Sequence, residues 1–121
     1  MNKTKVIFRT KYPERGGETV AVFPALAGDS SLRTCLFYTH FGQHGTITTD
    51  YHLFTFPARP EEYASLKAEL ESIGYDLRIA HRQNRADYQA RLKQVRAIVF
   101  YKSKFTNSDN HETVEGRNGN G

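Results

Sequence analysis

Apolar residues near the start of the chain come in short, β-rich runs. Thr4-Lys5-Val6-Ile7-Phe8-Arg9-Thr10 is the first, ended by Pro13 and Gly16-Gly17, and Glu18-Thr19-Val20-Ala21-Val22-Phe23 is the second, stopped at Pro24. Together they predict a hairpin with a loop longer than the tight two-residue kind. Ala27-Gly28-Asp29-Ser30-Ser31 predicts a turn, and Leu32 to His40 a third strand, long and aromatic enough to be central. The pattern then changes. From Pro60, apolar Tyr63, Leu66, Leu70 and Ile73 recur at spacings of three and four, the stripe of an amphipathic helix. Pro60 suits its first turn, Glu61 and Glu62 complement the positive end of its dipole, and Gly74 supplies a left-handed cap. Tyr75, Leu77 and Ile79 alternate with polar Asp76 and Arg78, which predicts a half-buried strand. Asn84 is placed to cap a second helix with Tyr88, Leu92, Val95 and Val99 as its apolar stripe. The end of that helix is open, because Ile98-Val99-Phe100-Tyr101 reads equally well as a strand.

The order β-β-β-α-β predicts an α+β domain over residues 3–81, a small antiparallel sheet packed by one helix. A basic helical extension over 82–105 and a disordered tail over 106–121 follow, the tail being rich in Asn, Asp, Glu and Gly. The connection from Phe41 to Ala58 is longer than the ~12–15 residues usual for a loop without structure of its own. A short strand near Thr49–Leu53 would shorten it. Phe41, Tyr51, Phe54 and Phe56 in or beside this connection are expected to anchor it to the sheet.

Composition adds compartment and charge. Cys35 is the single cysteine, so no intramolecular disulfide and no thiolate zinc cluster can form within one chain, as suits a reducing compartment. The first apolar run, Val6-Ile7-Phe8, is far shorter than a signal-peptide core, and nothing approaches a membrane span. A cytoplasmic protein is expected. The formal net charge of +4 is unevenly spread: residues 81–104 carry seven basic and one acidic side chain, residues 16–80 four basic and eight acidic.

Lys5-Val6-Ile7-Phe8-Arg9, Val20-Ala21-Val22-Phe23-Pro24, Tyr38-Thr39-His40-Phe41-Gly42-Gln43-His44-Gly45, and the run from Glu62 to Tyr75 form four blocks. In this order they resemble a family of short uncharacterised proteins of gut bacteria, often linked to mobile genetic elements. The resemblance covers roughly residues 5–80. It implies a compact α+β domain in a cytoplasmic setting and assigns no catalytic residue.

Candidate chemistry falls in two places. His40 and His44, with His52 further on, offer imidazoles that suit zinc, copper or nickel, but Gly42 and Gly45 argue against the helix that would align the first two. In that segment a turn holding Tyr38, His40, Gly42, Gln43, His44 and Gly45 is the simpler reading. A hydrolytic reading would take Cys35 or a threonine as nucleophile and a histidine as base, yet Cys35 falls mid-strand and no nucleophile elbow or phosphate loop is present. No cofactor is expected. The second place is the basic segment, where Arg82, Arg85, Arg91, Lys93, Arg96, Lys102 and Lys104 are interleaved with aromatic residues. Cations that neutralise phosphates and rings that stack on bases suit DNA or RNA, while the Tyr88/Leu92/Val95/Val99 stripe suits a protein partner or a second copy, and a basic amphipathic helix also suits an anionic membrane surface. The leading expectation is a non-enzymatic accessory protein acting by protein interaction or self-association. Nucleic-acid binding is the alternative, and an enzyme using His40 and His44 the third reading.

Overall fold

Residues Thr4–Lys11 form strand β1, and the six from Lys5 to Thr10 are all buried, because β1 is covered on both faces and paired along both edges. The computed structural model describes residues 3–11, 17–40 and 42–109, those from 102 onward by backbone only. Strand β2 (Glu18–Phe23) runs antiparallel to β1 in a register that sets Ile7 opposite Val22 and Lys11 opposite Glu18, giving the long hairpin loop that the two glycines predict. Strand β3 (Thr34–Thr39) follows antiparallel on β2, and β4 (Gln43–Thr48) antiparallel on β3. The other edge of β1 is shared. Its C-terminal half pairs antiparallel with the two-residue β5 (Phe56–Pro57), and its N-terminal half pairs parallel with β6 (Leu77–Ile79).

The fold is therefore α+β, among the described residues a mainly antiparallel six-stranded sheet with two α-helices. Two features differ from the sequence reading. The connection after Phe41 contains β4, a 3₁₀ turn at Tyr51–Leu53 and β5, so the hidden strand lies at Gln43–Thr48 and not at 49–53. Alternation fails to announce β4 because it is an edge strand with one buried residue, Ile47. The place of greatest burial is β1 and β2, with β3 next to the edge.

Helix α1 (Pro60–Ser72) lies on one face. Leu66 and Leu70 are fully buried against Val6, Phe8, Ala21, Phe23 and Tyr38, and the Tyr63 ring stacks on Phe8 with centroids 4.3 Å apart. Fully burying one such aliphatic side chain contributes about 1.5–3 kcal/mol. The Arg59 N–H donates to Glu62 Oε1 at 2.7 Å to close the first turn, and the last turn ends where Tyr75 N–H donates to the Leu70 carbonyl past Gly74 at φ 111°. Ile73, expected on the buried stripe, is exposed. It occupies the capping position with non-helical angles, which turns it off the line of Leu66 and Leu70.

The opposite face buries Ile7, Val20, Val22, Cys35, Ile47 and Tyr51. Helix α2 (Arg85–Asp109) reaches this side: Arg91 hydrogen-bonds the Pro24 carbonyl, the Gln94 side chain accepts from Ala27 N–H at 2.7 Å and donates to the Ala25 carbonyl at 2.8 Å, and Val95 is buried. The first three turns of the basic helix are thus part of the body, and Val95 is the last residue buried among those whose side chains are described. Residues 97–101 are helical, and so are 106–109, where the irregular tail was expected to begin; residues 110–121 lie outside the described ones.

Candidate functional site

The first helical turn of α2 is set by a reciprocal pair. Asn84 Oδ1 accepts from Asp87 N–H at 3.1 Å, and Asp87 Oδ2 accepts from Asn84 N–H at 2.8 Å, as the sequence reading of Asn84 requires. The same Asp87 oxygen accepts Lys5 Nζ at 2.7 Å. This contact fixes the rotation of the helix. Asp87, Arg91 and Val95, at spacings of four, face the sheet, and the expected stripe of Tyr88, Leu92, Val95 and Val99 does not form one buried face. Tyr88 and Val99 are exposed, Leu92 is half-buried and only Val95 is buried. A polar anchor at each of the first two inward positions outweighs the apolar stripe, because a buried carboxylate or guanidinium must find its partner.

The basic residues separate accordingly. Arg91 is buried, with its guanidinium on the Pro24 carbonyl and near the Tyr88 ring, and so is removed from any surface that meets a ligand in solution. Arg82, Arg85, Lys93 and Arg96 are exposed, and none of the four pairs with a carboxylate among the described residues. The side chains of Lys102 and Lys104 lie outside the described ones. Beyond Val95 the helix runs on to Asp109 with Val99, Phe100 and Tyr101 exposed in succession.

Tyr38-x-His40-x-Gly42-Gln43-His44-Gly45 is the turn of the β3–β4 hairpin. Thr39 pairs with Gln43, Gly42 N–H returns to the Thr39 carbonyl at 3.1 Å, and Gly42 adopts φ 75°, the geometry of a three-residue loop closed by a left-handed glycine. Gly45 sits opposite Phe37, and a Cβ there would lie 2.7 Å from the Phe37 ring. Tyr38 Oη donates to Glu69 Oε2 at 2.5 Å, His40 Nδ1 lies 3.1 Å from Glu69 Oε1, and His44 Nε2 lies 2.7 Å from Tyr75 Oη. The Tyr38 hydroxyl, and after it His40, hold the Glu69 carboxyl below its ordinary value, and donation to that carboxylate pushes the Tyr38 phenol up. The motif thus ties the hairpin to α1 and to the chain just after it. Both histidines are engaged in that tie. His52 belongs to the segment on the opposite face of the sheet, beside Tyr51, and among the described residues no three of His, Cys, Asp and Glu come together to hold a metal ion. Cys35 is fully buried, its thiol pushed up to about 11 by that burial, which denies it the role of an accessible nucleophile.

Of the aromatic residues in the connection, Tyr51 is buried as expected, whereas Phe54 and Phe56 are about half exposed, at 51% and 57%, and Phe41 lies outside the described residues. A cavity of about 540 Å³ opens beside this segment, lined by Arg9, Tyr51, His52 and Pro57 with His81, Arg82 and Gln83. Arg9 comes from β1, and Gln83 is fixed by a 2.7 Å bond from its amide to the Thr49 carbonyl. Sequence reasoning missed Arg9 entirely, since a cation between Phe8 and Thr10 reads as the outward position of a half-exposed strand.

No family model matches the chain, and neither curated proteins nor solved structures contain a match to it. No helix among the described residues is long and apolar enough to cross a membrane.

Proposed function

We propose that this is a non-enzymatic accessory protein acting by protein interaction, in which the distal part of α2 pairs with its counterpart in a second copy. The observation that carries this reading is the exposure of Val99, Phe100 and Tyr101, at 52%, 68% and 62%, on a helix that continues to Asp109. The exposed side chains of Val99 and Phe100 gain burial from a partner that covers them. Val99 and Phe100 are about 100° apart on the helix surface, so one helix packed alongside covers both.

Like-charged Lys93 and Arg96 flank the contact, so pairing strengthens as salt screens them. Light scattering on the full chain, with and without a joint Phe100→Glu and Tyr101→Glu change, tests it: the parent forms dimers that the double variant lacks. A parent that stays monomeric at high concentration and high salt sinks the reading.

A second reading rests on the exposed, unpaired Arg82, Arg85, Lys93 and Arg96. They give an electrostatic surface for DNA or RNA, and that affinity would fall steeply with added salt, the opposite of the helix pairing. A filter-binding titration with single- and double-stranded probes at two salt concentrations distinguishes the two.

A further inference from the structure

The layer between the sheet and α2 holds more positive than negative charge. Lys5, Arg9 and Arg91 are each buried to more than nine-tenths, and Asp87 is the one buried carboxylate there among the described residues. Asp87 is already bonded to Lys5, which leaves two guanidinium groups without an anionic partner. Arg91 places Nη1 on a backbone carbonyl. Arg9 donates Nε to Thr55 Oγ1 at 2.9 Å and Nη2 to the Thr55 carbonyl at 2.8 Å, and its Cζ lies 5.9 Å from the centre of the Tyr51 ring. These contacts hold the group rigidly without neutralising it. Burial correspondingly lowers the Arg9 pKa.

Arg9 is also the recessed part of the 540 Å³ cavity. That size lies within the ~300–1,000 Å³ typical of small-molecule sites. Among the described residues the rest of the wall carries a second guanidinium at Arg82, imidazoles at His52 and His81, the Gln83 amide, rings at Tyr51 and Pro57, and no carboxylate. Three separate stretches of chain supply it, and each is anchored. Pro57 is paired to Arg9 in the β1–β5 register, Tyr51 is buried in the second core cluster, and Gln83 is bonded to Thr49. A fixed, buried guanidinium beside a second one is the arrangement that recognises an oxyanion, and preorganisation removes part of the cost of binding it.

We propose that this cavity binds a small organic phosphate, its terminal phosphate held by Arg9 and Arg82 and its body lying against Tyr51 and Pro57. The two guanidinium groups that the cavity itself presents, Arg9 and Arg82, favour a dianionic phosphate monoester over a carboxylate. The depth of Arg9, only 8% exposed, favours a terminal phosphate over the diester of a nucleic-acid backbone, which is esterified on both sides. The site is separate from the distal part of α2, so its success or failure is independent of self-association.

Calorimetric titration of the full chain with inorganic phosphate, adenosine monophosphate, adenosine and a single-stranded oligonucleotide tests the assignment. The monophosphate is expected to bind at least about tenfold more tightly than adenosine, and Arg82→Ala to weaken it at least about tenfold. Arg82 is exposed, so this variant keeps its fold; an unchanged melting temperature without ligand verifies that. Arg9→Met is expected to abolish binding, and because it can also disturb β1, Arg82→Ala carries the decision. A chain that takes up neither inorganic phosphate nor the monophosphate overturns the proposal. So does an Arg82→Ala variant that binds as the parent does, or an oligonucleotide that binds where the monophosphate does not.

Discussion

Lys5 Nζ lies 2.7 Å from Asp87 Oδ2, joining the first strand to the last helix across 82 positions of sequence with both side chains only 6% exposed. With the Arg91 contact to the Pro24 carbonyl and the Gln94 bonds to Ala25 and Ala27, the pair makes α2 part of the domain. Its partner-dependence is strong in one direction: removing either member leaves a buried charge, whereas replacing both with apolar groups removes two desolvation costs along with the attraction. Asp87→Ala is therefore expected to destabilise the fold by about 3–5 kcal/mol, and Lys5→Met with Asp87→Leu by less than half of that, the remainder reflecting the lost cap at Asn84. Urea unfolding of the single and joint variants measures the difference. Equal losses in both would show that the ion pair itself carries the stability.

The Tyr38–Glu69 contact gives the domain an acid-sensitive component. The Glu69 carboxyl, held down first by the Tyr38 hydroxyl and then by His40, ionises below the ordinary value of 4.5. An unfolded chain takes up that proton more readily than the folded one. The contribution is accordingly present above pH 4.5 and lost as pH falls through the folded value. Glu69→Gln is expected to lower stability near neutral pH and to flatten the decline below pH 4.5, with Tyr38→Phe acting in the same sense but less. Denaturant midpoints across pH 3 to 7 are the measurement, and parallel acid limbs in parent and Glu69→Gln would refute the assignment.

Cys35 is fully buried on the α2 side of the sheet, and its thiol is pushed up to about 11. Alkylation by iodoacetamide at pH 8 is expected to be slower by at least about 100-fold in the folded protein than in urea, since both access and thiolate are lacking. Rapid labelling of the folded chain would restore the nucleophile reading that the burial removes.

Gly42 holds φ 75° at the tip of the β3–β4 hairpin, where the nearest atom to an added Cβ, Tyr38 Oη, is 4.0 Å away. Space is available, so the cost of a substitution is conformational. Gly42→Ala is expected to cost about 1–2 kcal/mol and Gly42→Asn less, because asparagine tolerates the left-handed region. Thermal unfolding of the two variants ranks them, and an alanine variant as stable as the asparagine one would count against a left-handed turn.

Much of the fold follows from local chemistry legible in single stretches of chain. Pro60, Glu62 and Gly74 frame α1 because each acts on backbone groups within a turn of itself, and Asn84 starts α2 for the same reason. Leu66 and Leu70 were recognisable as core from their spacing. The β4 strand was not, since Gln43-His44-Gly45-Thr46-Ile47-Thr48 has one buried residue and takes its pairing from β3. Nor was the true inward face of α2. Hydrophobicity points to Tyr88, Leu92, Val95 and Val99, but Asp87 and Arg91 turn inward because Lys5 and the Pro24 carbonyl wait there from β1 and the end of β2.

The sequence by itself thus determined the class of fold, the start of both helices and the end of α1, the hairpin glycines and the concentration of positive charge after residue 81. Tertiary structure alone decided which cations are buried, how α2 is rotated, and that Arg9 meets Tyr51, His52, His81 and Arg82 around one cavity. The physical reason is range. Capping and turn formation act within a few residues, whereas pairing a buried charge and closing a cavity wall depend on groups separated by tens of positions that only the assembled sheet brings together.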